Sequence, residues 1–159
     1  MSLIQCKHLS KSYGGKQVLS EVDFILETGA PIAVVGPNGA GKTTLFSILS
    51  GYIKPSSGTV TIMGEPVGSP KLHGVLSALP QDAQLDPDSS ILSQLRLFAE
   101  LQGIKGKASK NEAMRVLELV DLTKAAKAKP KSLSHGMSKR VSIAQALIGS
   151  PKLVLLDEP

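Results

Sequence analysis

Residues 36–43 read Gly36-Pro37-Asn38-Gly39-Ala40-Gly41-Lys42-Thr43, a G-x-x-x-x-G-K-T pattern. A polyphosphate is strongly negative and needs several donors at close range. Glycines let main-chain N–H groups turn inward with no Cβ in the way. A helix that follows adds its free N–H groups and the positive end of its dipole. The lysine supplies a point charge, and the hydroxyl beside it suits a divalent cation. The flanks agree with this reading. Ile32-Ala33-Val34-Val35 is a short apolar run between Pro31 and Gly36, the pattern of a strand buried on both faces of a parallel sheet. Lys42 to Ser50 reads as a helix ended by Gly51. A strand, a glycine turn and a helix in that order predict an α/β fold built around a phosphate-binding loop.

Upstream, residues 3–9 and 17–26 carry strand patterning, with Gly14-Gly15 between them as a turn. Downstream, Thr59 to Met63 alternates and stops at Gly64, and Val75 to Leu79 is a further strand closed by Pro80. The character then changes to helix. Ser89 and Ser90 can cap a helix running to about Gln102. Ser109 and Glu112 have the spacing of a capping box, with Ala113, Val116, Leu117 and Val120 forming one apolar stripe behind it. Met137, Val141, Ala144 and Ile148 repeat that spacing in a third helix, which Pro151 ends. Leu153 to Leu156 reads as a last buried strand.

That strand runs into Asp157-Glu158. A buried strand of a parallel sheet delivers its C-terminal residues to the ligand edge. There Asp157 would stand near a magnesium ion, and Glu158 could polarise an attacking water as general base. Leu133-Ser134-His135-Gly136-Met137 precedes the third helix. A serine and a glycine at a helix start form a second anion-binding nest, although the first phosphate site is already complete.

Composition narrows the field. The chain has 159 residues, 42% of them apolar and 19% charged, which is globular rather than disordered. Its aromatics are only Tyr13, Phe24, Phe46, Tyr52 and Phe98, too few for a nucleic-acid stacking surface. The net charge of +5 divides as +2 over residues 1–81 and +3 over 82–159, so no basic tail is present and no nucleic-acid partner is expected. A single cysteine, Cys6, excludes a disulfide framework and reads as a small packed hydrophobe. His8 and His73 lack metal-ligand spacing. Lys124, Lys127, Lys129 and Lys131 read as a solvated face, with contact to anionic lipid as the alternative. No apolar run approaches the ~20 residues that span a bilayer, and the start lacks the pattern of a secretory signal.

Together these motifs resemble the ATP-binding subunits of ABC (ATP-binding cassette) transporters, in the right order from residue 3 to 159. Gly36–Thr43 matches Walker A and Leu153–Asp157 matches Walker B, with Glu158 as the catalytic glutamate. Gln81 is similar to the Q-loop glutamine, and Tyr13 to the A-loop aromatic that stacks on adenine. Ser134-His135-Gly136-Met137 is similar to the signature, usually Leu-Ser-Gly-Gly-Gln.

The resemblance implies a P-loop NTPase (RecA-like) core with an N-terminal antiparallel β region and an inserted α-helical subdomain. The expected division is an α/β nucleotide-binding core over 1–87, a helical subdomain ending in the signature helix over 88–149, and the core strand 150–159. It implies ATP and Mg2+ as ligands. Tyr13, Gly36, Asn38, Gly39, Ala40, Gly41, Lys42, Thr43, Thr44 and Gln81 would hold the nucleotide, and Thr43, Gln81 and Asp157 the magnesium. Lys42 and Glu158 would carry the catalysis. Two cassettes would pack head to tail, as a homo- or heterodimer. Ser134 and Gly136 of each would then touch the γ-phosphate held by the other. A membrane-spanning transporter subunit would dock near Gln81, placing the protein in the cytoplasm, peripheral on the inner face of the membrane.

Two departures qualify the match. His135 and Met137 stand where the family has glycine and glutamine, and Met137 cannot donate a side-chain hydrogen bond. A full cassette runs to roughly 220–240 residues on the usual domain scale. The chain therefore reads as C-terminally truncated, with the D-loop and switch histidine beyond Pro159, and hydrolysis by this chain alone is not expected. Other readings are a non-transport ABC ATPase acting on ribosomes or nucleic acid, or a non-hydrolysing nucleotide-binding regulator. Thr43 to Leu133 is only 90 positions, which leaves no room for the long coiled coil of the chromosome-acting members.

Overall fold

A computed structural model describes residues 2–158; Met1 and Pro159 lie outside it. The chain forms two compact units, one ending at His73 and one beginning at Gly74. The fold is mixed α/β.

The first unit is built on an antiparallel sheet of order β2-β1-β3-β4. Strands β1 (Ser2–Tyr13) and β2 (Lys16–Glu27) form a hairpin around Gly14 and Gly15, whose φ values of 54° and 83° suit a two-residue turn. Ile4, Cys6 and Leu9 of β1 are buried. Burial pushes the Cys6 thiol up to about 11, helped by the charge of Asp23, so it stays a protonated, packed hydrophobe. The hairpin is bulged at His8 and Glu21, both in the left-handed region. N–H groups that leave the ladder there are met by side chains: His8 donates to Asp23 Oδ1 at 2.9 Å and Glu21 to Ser10 Oγ at 2.9 Å. On the other edge of β1 lies β3 (Ser57–Ile62), followed by the short β4 (Glu65–Pro66). Helix α1 (Lys42–Leu49) buries Phe46, Ile48 and Leu49, and Gly51 at φ 77° turns the chain out of it.

The second unit joins three helices to a parallel strand pair. Helices α2 (Ile91–Leu101), α3 (Lys107–Leu119) and α4 (His135–Ala146) share one apolar core in which Leu95, Ala99, Val116, Leu117, Val141 and Ala144 are fully buried. Ser90 caps α2, its Oγ accepting from Ser93 N–H. Strands β5 (Leu76–Leu79) and β6 (Leu153–Leu156) pair in parallel, Leu76 beside Leu153 and Leu79 beside Leu156.

Three local expectations fail. Residues 32–35 form no strand, and Ile32, Val34 and Val35 are 50%, 60% and 90% exposed. A strand exists only with a ladder partner, and none bonds to this run among the described residues. Ser109 and Glu112 form no capping box, because α3 starts at Lys107 after Gly106. Ser109 is buried inside the helix, its hydroxyl 2.9 Å from Glu100 Oε1 and 2.8 Å from Gly106 O, the two acceptors sharing its single proton. Glu112 is taken by Arg115 and by Gly149 N–H. Finally, β6 is half-buried rather than buried, with Leu156 39% exposed.

Candidate functional site

The glycine loop and the helix it opens belong to the first unit. Gly39 and Gly41 lie at φ 80° and 88°, and Ala40 N–H closes a turn onto Pro37 O at 3.2 Å. At φ 88° a side chain is strained, and a Cβ on Gly41 would also stand 2.8 Å from Leu19 Cδ2 and 3.1 Å from Val18 O, so the fold itself favours glycine there. No side chain caps α1 and its first turn holds no acid. Its leading N–H groups and the positive end of its dipole thus meet neither a capping side chain nor an acid of the helix's own first turn, an arrangement suited to anions. Lys42 Nζ donates to Gly36 O at 2.8 Å and to Pro37 O at 3.0 Å, which curls the ammonium over the loop. Gly36, Asn38, Gly39, Ala40 and Thr43 are exposed, and Thr44 is half-buried.

Tyr13 ends β1 opposite Lys16 and is 48% exposed. Lys11 Nζ lies 5.0 Å from the centre of its ring and donates to Lys54 O at 2.8 Å.

In the second unit, the ends of β5 and β6 bring three expected residues together. Asp157 N–H extends the ladder to Leu79 O at 3.0 Å, and the residue is buried. Gln81 Nε2 donates to Glu158 Oε2 at 2.7 Å. Lys139 Nζ, from α4, donates to Glu158 O at 2.9 Å, and Glu158 itself has φ 48°. The start of α4 is capped by Ser134, whose Oγ accepts from Met137 N–H at 3.2 Å. His135 and Gly136 are exposed, while Met137 packs against the helical core. A Cβ on Gly136 would meet nothing within 4 Å. The fold therefore does not favour glycine at 136 as it does at 41.

No cluster of three His, Cys, Asp or Glu occurs among the described residues. Thr43 in the first unit, and Asp157 and Gln81 in the second, each carry an oxygen of the kind that magnesium takes alongside waters and substrate phosphate oxygens. Sequence reasoning missed Lys11 and Lys139. Lys11 was readable in principle, since residues two apart on a strand share a face. Lys139 was not, because its partner is 19 residues away and the link depends on tertiary packing.

The chain matches the family model described as ABC transporter over residues 19–159. It is 35% identical over 160 residues to the Nod factor export ATP-binding protein I of Cupriavidus metallidurans, covering 99% of this chain and 53% of that protein. It is 34% identical to the linearmycin resistance ATP-binding protein LnrL of Bacillus subtilis, covering 99% of this chain and 51% of that one. The chain thus spans about half the length of these relatives. Among solved structures it superposes on cbiO1 of Clostridium perfringens, described as part of the ABC transporter complex cbiONQ. The TM-score is 0.87 at 28% identity, over 99% of this chain and 66% of that one. No helix among the described residues is long and apolar enough to cross a membrane.

Proposed function

This chain belongs to the ABC transporter family, and from that premise we propose that it is the ATP-binding and ATP-hydrolysing part of a pump that moves a substrate across a membrane through a membrane-spanning partner subunit. The observation that carries this reading is the uncapped, acid-free N-terminus of α1 behind Gly39 and Gly41, with Lys42 curled over it. Phosphate oxygens would replace the carbonyls of Gly36 and Pro37 as acceptors for Lys42. Anionic acceptors form shorter and stronger bonds than neutral carbonyls, so the exchange favours binding. Main-chain N–H groups from Gly39 to Thr44 would take the remaining phosphate oxygens, and Tyr13 would take the adenine.

Magnesium, held through Thr43, Asp157 and Gln81, would supply Lewis-acid stabilisation of charge on the phosphates. Glu158 would accept the proton of the attacking water, and its bond from Gln81 would fix the carboxylate for that task. Ser134 and Gly136 would meet the γ-phosphate bound by a second cassette, packed head to tail. The open space beside Gly136 supports a close main-chain approach there. The relatives' names, Nod factor export and linearmycin resistance, support an exporting role. A non-hydrolysing nucleotide-binding regulator is the second reading. It is favoured by Met137, which packs inward and offers no side-chain donor at the signature.

Calorimetry of the full chain with ATP and magnesium tests the binding step. Lys42→Ala should abolish measurable affinity, and an undiminished affinity would overturn the assignment. Phosphate release from the chain assembled with its membrane partner separates the two readings, since the regulator releases none.

A further inference from the structure

We infer that Lys11 is a specificity residue for the nucleobase: its ammonium occupies one face of Tyr13 and leaves the other as the platform for the adenine ring. The inference rests on the proposed ATP binding and adds to it a residue with no part in holding phosphate. Positions 11 and 13 share one face of β1, which sets the cation beside the ring. Lys11 Nζ is 5.0 Å from the ring centre, within cation–π range. The same ammonium donates to Lys54 O at 2.8 Å, so its position is held by main chain and not only by the ring. The neighbouring bonds stiffen the arrangement: Ser12 N–H donates to Ser56 Oγ at 3.1 Å, and Ser56 N–H to Ser10 O at 2.9 Å. The end of β1 is thereby tied at three points to the segment that follows α1.

Tyr13 is suited to a stacking partner where the other exposed tyrosine is not. Tyr52 already meets Phe46 edge-on, with ring centres 6.2 Å apart. Tyr13 is 48% exposed and its neighbour is a cation. Two aromatic rings laid face to face repel through their quadrupoles, since both faces are negative. A cation on one face of Tyr13 draws electron density toward itself and makes the opposite face less negative. It also stops the ring from turning to that side. Both effects favour a flat purine on the open face, and neither touches the triphosphate.

The test compares two probes on the full chain by calorimetry: magnesium-ATP, and magnesium-tripolyphosphate, which has the anion without the base. Lys11→Met keeps the aliphatic stem and removes the charge. It should weaken ATP about 2–5-fold, a part of the worth of a stacked aromatic pair, because the ring loses the charge that favours stacking on its other face. It should leave tripolyphosphate unchanged at physiological ionic strength, where exposed charges are screened beyond about 8 Å. Unchanged tripolyphosphate affinity also shows that the variant is folded. Lys11→Arg should restore ATP binding. In a Tyr13→Leu background, Lys11→Met should cost nothing further, because the lysine acts through the ring.

Equal losses for both probes, an additive loss in the Tyr13→Leu background, or no effect on ATP would each overturn the inference. If the unaltered protein binds tripolyphosphate as tightly as ATP, the phosphate loop stands and the base platform fails. If it binds neither probe, the nucleotide reading fails and this inference with it.

Discussion

The side-chain amide of Gln81 donates to Glu158 Oε2 across 2.7 Å, although the residues are 77 positions apart. Strand register explains the meeting. Leu79 and Leu156 are paired at the ends of two parallel strands, and Asp157 N–H adds one more rung to Leu79 O. Two residues past each paired leucine, the side chains converge. The carbonyl of Glu158 is held separately, by Lys139 from α4. The proposed base is thus fixed from both its side chain and its main chain, by groups from two other elements of the same unit.

Replacing Glu158 with glutamine keeps the shape and the contact with Gln81 but removes the proton acceptor. ATP affinity should persist in calorimetry. Phosphate release by the chain assembled with the proposed membrane-spanning subunit should fall about 10²-fold or more. Undiminished turnover would place the base elsewhere.

Gly58 sits at φ 84° where β3 passes the His8 bulge, and a Cβ there would collide with the carbonyl of His8. Gly58→Ala should cost about 3 kcal/mol or prevent folding, because backbone has to move out of the way. Gly103 has a similar φ of 87° but open space around it, and Gly103→Ala should cost only about 1 kcal/mol. Urea unfolding curves of the two variants measure the difference, and equal midpoints would contradict the account.

Glu112 and Arg115 clasp the end of α4: Arg115 donates to Leu147 O at 3.0 Å, and Gly149 N–H donates to Glu112 Oε1 at 2.8 Å. The hydrogen bond from Arg115 is the main cause that holds the Glu112 carboxyl below its ordinary value of 4.5, against the opposing effect of burial. The unfolded chain therefore binds this proton more readily than the folded one. The stabilisation is present above pH 4.5 and is lost as acid carries Glu112 down through its lowered folded value. Glu112→Gln should lower stability by about 1 kcal/mol at pH 7, a modest figure because solvent screens the half-exposed Arg115. As the pH falls below 4.5 and through that lowered folded value, the variant and the parent should converge in urea unfolding. A gap that stays constant with pH would show that charge is not involved.

What could be read from sequence was whatever short-range chemistry decides. The Gly14-Gly15 hairpin, the helix that stops at Gly51 and the apolar stripes of α3 and α4 each depend on neighbours within one or two turns. What could not be read depends on distant partners. The apolar run Ile32–Val35 has the composition of an inner strand, yet no ladder forms on it among the described residues. Ser109 and Glu112 have capping-box spacing, but Glu100 and Arg115 compete successfully for their side chains. Around the candidate site, the residue types of Lys42, Gln81 and Glu158 were legible. Which atoms they touch was not, since the carbonyls under Lys42 and the bond between Gln81 and Glu158 exist only once the chain has folded.

The crowding around Gly41 separates two reasons for keeping a residue. The left-handed φ of 88° strains any side chain at that position, and Val18 and Leu19 would have to shift to admit even a methyl group, whether or not a ligand is ever bound. A descendant of this protein that had lost all use for nucleotide would still be held to glycine at 41 and would be free to drift at 136. Glycine surviving at the first position would then record an inherited scaffold, and only its survival at the second would speak for a working machine.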